Sequence, residues 1–292
     1  MTGRSFRRSV TGYAFLLPGL VGFTLFTLGP ILFSLVMSFF DWNLFSGPVF
    51  VDAANFDAIL SSPGTKFWSF AGNSLFFLAI VPLQMAVALA AASLLNEDPK
   101  GAVMYKVIFF IPVVLSVVPV AMIWAYLLDT EHGVLNGLIG ALGGERIAWL
   151  FDPAWIKPGI ALMAVWQGSA FSTIVYFAAL QGIPDQLYEV ATLDGAGRWN
   201  KFLNITLPLL GPAHVFLAVT GVIGALQLFA PIMVMTHGNA GGAHNLIVEV
   251  YTKAYQEFRM GYASALAWIL FLVIFIISSI YWKFHRRSAD YA

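Results

Sequence analysis

Residues 189–212 read EVATLDGAGRWNKFLNITLPLLGP, a stretch that follows the charge-free apolar run at 158–184 and leads into the one at 202–248. Helical periodicity places Leu187, Val190 and Ala191 on one face of a short segment over 185–193. It places Trp199, Phe202 and Leu203 on one face of a second segment over 198–206. Between them, Asp194-Gly195-Ala196-Gly197 permit a sharp reversal, and Asp194 is expected to cap the start of the second segment. Apolar side chains on such a surface element must be covered, by the membrane boundary or by a partner protein.

The flanking sequence is that of an integral membrane protein. Of 292 residues, 59% are hydrophobic and only 10% are charged, against about 25% charged in an average soluble chain. The 15 Lys+Arg balance the 15 Asp+Glu, so no basic surface points to nucleic acid. Cysteine is absent, which excludes disulfides, thiolate metal sites and cysteine nucleophiles. The 26 Phe and 9 Trp suit lipid-facing and interfacial surfaces.

A hydrocarbon core about 30 Å thick needs roughly 20 apolar helical residues to cross it. Charge-free intervals of that order lie at 9–40, 67–96, 107–128, 158–184, 202–248 and 260–282. In the fifth, Pro208 and Pro212 at one end and the Gly- and Asn-rich 237–242 at the other leave room for one crossing. The expectation is an all-α membrane protein, a single domain over 1–292. Its six transmembrane helices lie at about 12–40, 68–95, 107–128, 159–180, 213–236 and 261–283, with a cytoplasmic loop, 185–211, joining the fourth to the fifth. The first run is too long for a signal peptide and lacks a small-residue cleavage site.

Orientation follows from Lys and Arg. With both termini on one side, that side carries ten cations: Arg4, Arg7, Arg8, Lys100, Lys106, Arg198, Lys201, Lys283, Arg286 and Arg287. The other side carries five, Lys66, Arg146, Lys157, Lys253 and Arg259. Both termini and the 185–211 loop are therefore expected in the cytoplasm.

The loop also carries a spaced motif: Glu189, Ala191, Gly195 six positions after the Glu, Ile205 ten after the Gly, then Leu207-Pro208. This resembles the cytoplasmic loop of bacterial ABC-importer permeases, with Val190 in place of the usual first alanine. The resemblance implies a coupling helix that docks into an ATP-hydrolysing subunit through Glu189, Ala191, Asp194, Gly195 and Ala196. It implies partners as well: a second, homologous permease forming a heterodimer, two copies of a cytosolic ATP-binding subunit, and an extracytoplasmic solute-binding protein. The chain itself has no GxxxxGK[ST] loop. No cofactor is expected on it, ATP and magnesium belonging to the partner subunits.

Further segments, 38–56, 109–129, 180–196 and 235–270, resemble the carbohydrate-uptake branch of these permeases. That branch implies an oligosaccharide, glycoside, polyol or glycerol-phosphate ester as cargo. The branch usually shows a compact Gly-Gly-Pro where this chain has Gly238-Asn239-Ala240-Gly241-Gly242.

Polar groups inside a span are costly in lipid and tend to face a bundle interior or a cavity. Span two has Asn73 and Gln84; span four has Trp166, Gln167, Ser169, Ser172 and Thr173; span five has Thr220 and Gln227. Trp166 suits stacking on a sugar ring, and Gln167 and Gln227 suit exchange of hydrogen bonds with hydroxyls. By resemblance to maltose-type permeases, Trp166, Gly168 and Phe171 fall at cargo-lining positions, Phe171 replacing a tyrosine. The candidate pathway is thus Trp166, Gln167, Gly168, Phe171, Gln227 and Asn73. Helix–helix hydrogen bonding satisfies the same polar residues equally well.

No charged residue lies mid-span, which argues against a proton relay or ion coupling. The five histidines are scattered without an HxxxH pair, so no metal site is expected. Two readings compete with a carbohydrate permease. A permease for a peptide or amino acid would share the loop but should lack the span-four Trp and the carbohydrate-branch segments. A membrane enzyme would need an intramembrane acid, base or nucleophile pair, and none is visible.

Overall fold

The computed structural model describes residues 13, 15–61, 64, 66–97 and 101–289. Arg4, Arg7, Arg8, Lys100 and, within expected span one, Gly12 and Ala14 lie outside the described residues. The described chain is almost entirely helical, and four helices are long and apolar enough to cross a bilayer: α1 (Phe15–Met37), α3 (Phe67–Asn96), α7 (Ile156–Gln181) and the Met260–Lys283 part of α13 (Met260–Ala289). Two bent pairs raise the number to six if each counts as one span: α4 (Ala102–Val114) with α5 (Val117–Leu127), and α9 (Arg198–Leu209) with α10 (Gly211–Leu226). Shorter helices are α2 (Ala54–Ser61), α6 (Val134–Ala141), α8 (Asp185–Leu193), α11 (Ala230–Met235) and α12 (Leu246–Tyr251).

Two compact units are distinguished. The smaller contains α1, a two-stranded ribbon, α2 and residues Val250–Ile269. In the ribbon, β1 (Phe40–Asp41) pairs antiparallel with β2 (Val49–Phe50), Phe40 opposite Phe50. Buried Asn55 on α2 donates to the carbonyls of Ser38 (2.9 Å) and Phe40 (3.0 Å), and Trp268 Nε1 donates to Ser34 Oγ (3.2 Å). Most Phe, Leu and Val side chains of α1 are exposed, the surface a span offers to lipid, while Phe33 packs edge-on against Trp42 with ring centroids 6.0 Å apart.

The larger unit comprises the described part of Lys66–Glu249 and Leu270–Ala292. At its centre α7 packs along α3, with α10 crossing both and α4 beside α7. One apolar cluster joins Phe77, Ile80, Ile160 and Met163 to Val120 and Ala121 of α5 and Ile232 and Met235 of α11. A second, around Ala88, Ala92, Tyr176, Leu180, Leu210 and Leu217, seats the base of the 185–211 segment through Ile183 and Tyr188.

Two expected spans are broken. Within 107–128, α4 and α5 meet at 107° across Leu115 and Ser116, both extended. Pro112 removes an N–H from the α4 ladder and crowds the carbonyl of Ile108, so the helix cannot run on straight. Within 213–236, α10 ends at Leu226, and α11 restarts at Ala230 with Pro231 in its first turn. The break frees backbone groups where lipid offers no partner. Buried Asn245 meets part of that need, donating from Nδ2 to the Leu228 carbonyl (2.9 Å) while its Oδ1 accepts the Val248 N–H (3.1 Å).

Candidate functional site: the 185–211 hairpin and the polar cavity

The 185–211 segment forms two short helices about a tight turn. Pro184 precedes α8, and Asp185 occupies its first turn, where a carboxylate complements the positive helix end. The helix closes in a Schellman arrangement: Ala196 N–H donates to the Ala191 carbonyl (2.8 Å) and Gly195 N–H to that of Thr192 (3.0 Å). Gly195 sits at φ +78°, a left-handed geometry in which most side chains are strained. Asp194 is therefore the residue that ends α8, not the cap of the second helix. Gly197, extended at φ −70° and ψ 167°, precedes α9, which receives no side-chain cap. The expected cap fails because the Schellman bonds hold Asp194 at the end of the first helix, three residues ahead of the second helix's boundary.

Side chains then tie the two helices together. Lys201 Nζ donates to Thr192 Oγ1 (2.6 Å), Thr192 Oγ1 donates to the Tyr188 carbonyl (2.6 Å), and the Tyr188 and Thr206 hydroxyls share a hydrogen bond (2.9 Å). The outer surface is apolar: Leu187, Val190, Leu193, Trp199 and Leu203 are exposed, with Trp199 stacked on Phe202 at 5.5 Å. Glu189 is exposed on the same hairpin, while Ala191 and Ala196 are half-buried.

The second candidate region lies among α3, α7 and α10, roofed by the α10–α11 break. A cavity of about 430 Å³ there is lined by Gln167, Gly168, Phe171, Thr220, Gln227 and Gln84, among others. Gln167 approaches the Leu115 carbonyl, freed by the α4–α5 bend, only at 3.5 Å. Ser172 and Thr220 turn their hydroxyls back onto carbonyls of their own helices, at Gly168 (3.1 Å) and Phe216 (2.8 Å). Gln227 exposes its side chain, and Phe171 is 46% exposed.

Four of the expected pathway residues, Gln167, Gly168, Phe171 and Gln227, thus line one cavity. Trp166 does not line it and packs against Trp124 with ring centroids 5.8 Å apart. Asn73 is also elsewhere, donating to the His244 carbonyl (2.7 Å) and accepting from Lys157 Nζ (3.1 Å). Gln84, a mid-span polar residue outside the six expected pathway positions, lines the cavity as well. Its signal is three-dimensional, because it reaches glycines on two other helices. Among the described residues, no group of three or more His, Cys, Asp or Glu side chains is placed to hold a metal ion.

Comparison with known proteins is consistent with this geometry. A probable ABC transporter permease, YesP of Bacillus subtilis, is 33% identical over 287 residues, covering 96% of this chain and 92% of the relative. The lactose transport system permease protein LacF of Rhizobium radiobacter is 32% identical, covering 92% of each. Among solved structures, a chain of the bacterial alginate ABC transporter, in complex with an alginate pentasaccharide-bound periplasmic protein, superposes with a TM-score of 0.81. It is 27% identical, with 97% of this chain and 96% of that chain covered. The family model for the inner membrane component of binding-protein-dependent transport systems matches residues 84–289. That match takes in the hairpin, every cavity-lining residue but Ile80 and every helix from mid-α3 onward, and the chain belongs to this family of transport-system inner membrane components.

Proposed function

We propose that the chain is the permease subunit of an ATP-driven importer that carries a carbohydrate into the cytoplasm by alternating access. The observation that carries this reading is the cavity among α3, α7 and α10, where carboxamide groups and an aromatic face meet inside otherwise apolar spans. Such a lining matches a solute that presents hydroxyls on its rim and C–H groups on its ring faces. The lactose permease relative and the alginate transporter support the same class of cargo.

In this reading the chain acts as one permease domain beside a second, homologous permease. Two cytosolic ATP-binding subunits hold ATP and magnesium, and an external binding protein delivers the cargo. Closure of the ATPase pair pushes on the hairpin through Leu187, Val190, Leu193 and Trp199, while the Schellman turn at Gly195 and the Lys201–Thr192–Tyr188 ties make α8 and α9 move as one piece. Tyr188 and Ile183 pass that movement to the cluster at the base of α3, α7 and α10, which bear the cavity. Both termini lie in the cytoplasm, following the ten-to-five cation bias.

Proteoliposomes holding the whole transporter supply the test. Uptake of a sugar should require ATP on the hairpin side and loaded binding protein on the other. Uptake by this chain alone, or without ATP, overturns the proposal. The orientation is checked in intact cells, since the native chain is free of cysteine: Ser46→Cys should react with an impermeant thiol reagent and Ser288→Cys should not.

A further inference from the structure

Gln84 occupies an unusual position for a carboxamide. It lies well inside α3, twelve residues before the helix end at Asn96, and its side chain crosses to two other helices. A Cβ on Gly168 of α7 would collide with Gln84 Oε1 and come within 3.1 Å of its Cδ. A Cβ on Gly221 of α10 would meet Gln84 Nε2 and Val81 Cγ1, each at 3.0 Å. The amide therefore lies in a gap between two glycines: a methyl group on Gly168 would make the end of the Gln84 side chain move, and one on Gly221 would make it give by a few tenths of an ångström. Despite this close seat, it makes no hydrogen bond among the described residues. It is half-buried and lines the cavity.

An amide without a partner inside a membrane span is unfavourable unless something in the cavity answers it. Its partner must both donate and accept, because a carboxamide offers a carbonyl oxygen and an N–H2 group. A hydroxyl does both. A carboxylate, sulfonate or phosphate only accepts, and it needs a cation for compensation. No residue lining this cavity is charged, its polar side chains being Gln84, Gln167, Ser172, Thr220 and Gln227.

We propose that Gln84, held between Gly168 and Gly221, is a cargo-contacting specificity residue and that it selects an uncharged, hydroxyl-bearing solute over an acidic one. The inference rests on the carbohydrate reading above and narrows it. It also separates this chain from the structurally similar transporter, whose cargo alginate is an acidic polysaccharide.

The experiment uses the complete transporter with its binding protein in proteoliposomes, offered lactose, maltose, trehalose and raffinose beside galacturonate and oligo-alginate. A neutral sugar should be taken up at least tenfold faster than either acid. Gln84→Met keeps the length of the side chain and its fit between the glycines but removes both hydrogen-bonding groups. It should lower uptake of that neutral sugar about tenfold at equal subunit recovery, whereas Gln84→Asn, which keeps the carboxamide, should lose less. Gly221→Ala, which crowds Nε2, should mimic Gln84→Met, and the two changes combined should add little to either alone. If Gln84→Met fails to assemble, the Gln84→Asn and Gly221→Ala pair decides the question. Preferential uptake of an acid, or wild-type uptake in Gln84→Met or in Gly221→Ala, overturns the role of Gln84 while leaving a carbohydrate importer standing. Failure of every sugar to enter strikes the carbohydrate reading itself.

Discussion

The hairpin at 185–209 and the cavity at Gln84, Gln167 and Gln227 invert the usual distribution of polarity in opposite senses. The hairpin is a polar-sequence element that exposes Leu193 at 87% and Trp199 at 70%. The cavity is an apolar-sequence region that turns carboxamides inward. Each leaves a surface uncompensated by the chain itself, and the kind of surface names the kind of partner. In the proposed function, the exposed aliphatic and indole groups on this helix pair would be buried in a protein cleft, where covering them is favourable. Amides in a low-dielectric cavity call for a solute rich in hydroxyls. The two regions share the cluster around Leu210, Leu217 and Tyr176, so force applied at one has packed side chains through which to reach the other.

The largest expected effect comes from breaking the hairpin's geometry without touching its surface. A Cβ at Gly195 would meet nothing within 4 Å, so Gly195→Val is penalised by its left-handed backbone rather than by a clash. Strain of about 1–3 kcal/mol, greatest for a β-branched residue, then opposes the Schellman turn. Cargo-stimulated ATP hydrolysis should be lost while the chain remains in the membrane. Gly195→Asn, which tolerates this geometry, should keep most of it. Equal hydrolysis in the wild type and the Val variant would show that the turn does not transmit force.

Removing the hairpin's surface while keeping its geometry comes next. Trp199→Ala forfeits a large exposed aromatic whose ring stacks on that of Phe202. If the hairpin docks in a protein cleft, the affinity for the ATPase subunit should fall by about 2 kcal/mol, roughly 30-fold. Binding of the purified ATPase subunit to membranes bearing the rest of the transporter measures it. A change below threefold would assign this face to lipid instead.

How far these two regions can be read in the sequence differs for a physical reason. The hairpin is local: its turn, its exposed face and the positive φ of Gly195 follow from residues less than 20 positions apart, and only the cap assignment of Asp194 required the actual hydrogen bonds. The long helices were equally legible, α7 running over 156–181 where charge-free spacing places a span at 159–180. The breaks were not, because counting charges ignores what Pro112 and Pro231 do to the backbone, although both prolines were there to be used. The cavity depends on which faces of α3, α7 and α10 meet, and periodicity is weak in helices that are apolar all round. Hence chemistry alone groups Gln167 with Gln227, which line one cavity, but gives no reason to add Gln84, which lines it too, or to set apart Asn73, which donates to the His244 carbonyl.

On the cavity side, Gln227→Leu should leave a cargo hydroxyl without its partner, a loss of about 1–3 kcal/mol. Since Gln227 sits at the α10–α11 break and its side chain has no hydrogen bond among the described residues, the fold should not suffer. Uptake should therefore fall roughly tenfold for 1.4 kcal/mol, with subunit recovery and unstimulated ATP hydrolysis unchanged. Wild-type uptake would remove Gln227 from the cargo path and leave Thr220 as the polar side chain that α10 gives to the cavity.

The smallest effect is expected at Trp166, and it tests where the cavity ends. The residue neighbours Gln167 in sequence, but a helix turns about 100° per residue, so adjacent side chains need not share a cavity. Its ring lies against Trp124 of α5, on the far side of the α4–α5 bend. An aromatic pair of this kind contributes about 0.5–1.5 kcal/mol beyond its buried area. Trp166→Ala should accordingly lower the apparent melting temperature of the purified transporter by a few degrees, about 2–4 °C per kcal/mol for a chain of this size. Uptake per assembled transporter should stay close to wild type, unlike Gln227→Leu. The opposite pattern, unchanged melting with a tenfold loss of uptake, would mean that the α5 face moves into the cargo path during transport. The cavity among α3, α7 and α10 would then be only one station of a longer route passing the bend at Leu115 and Ser116.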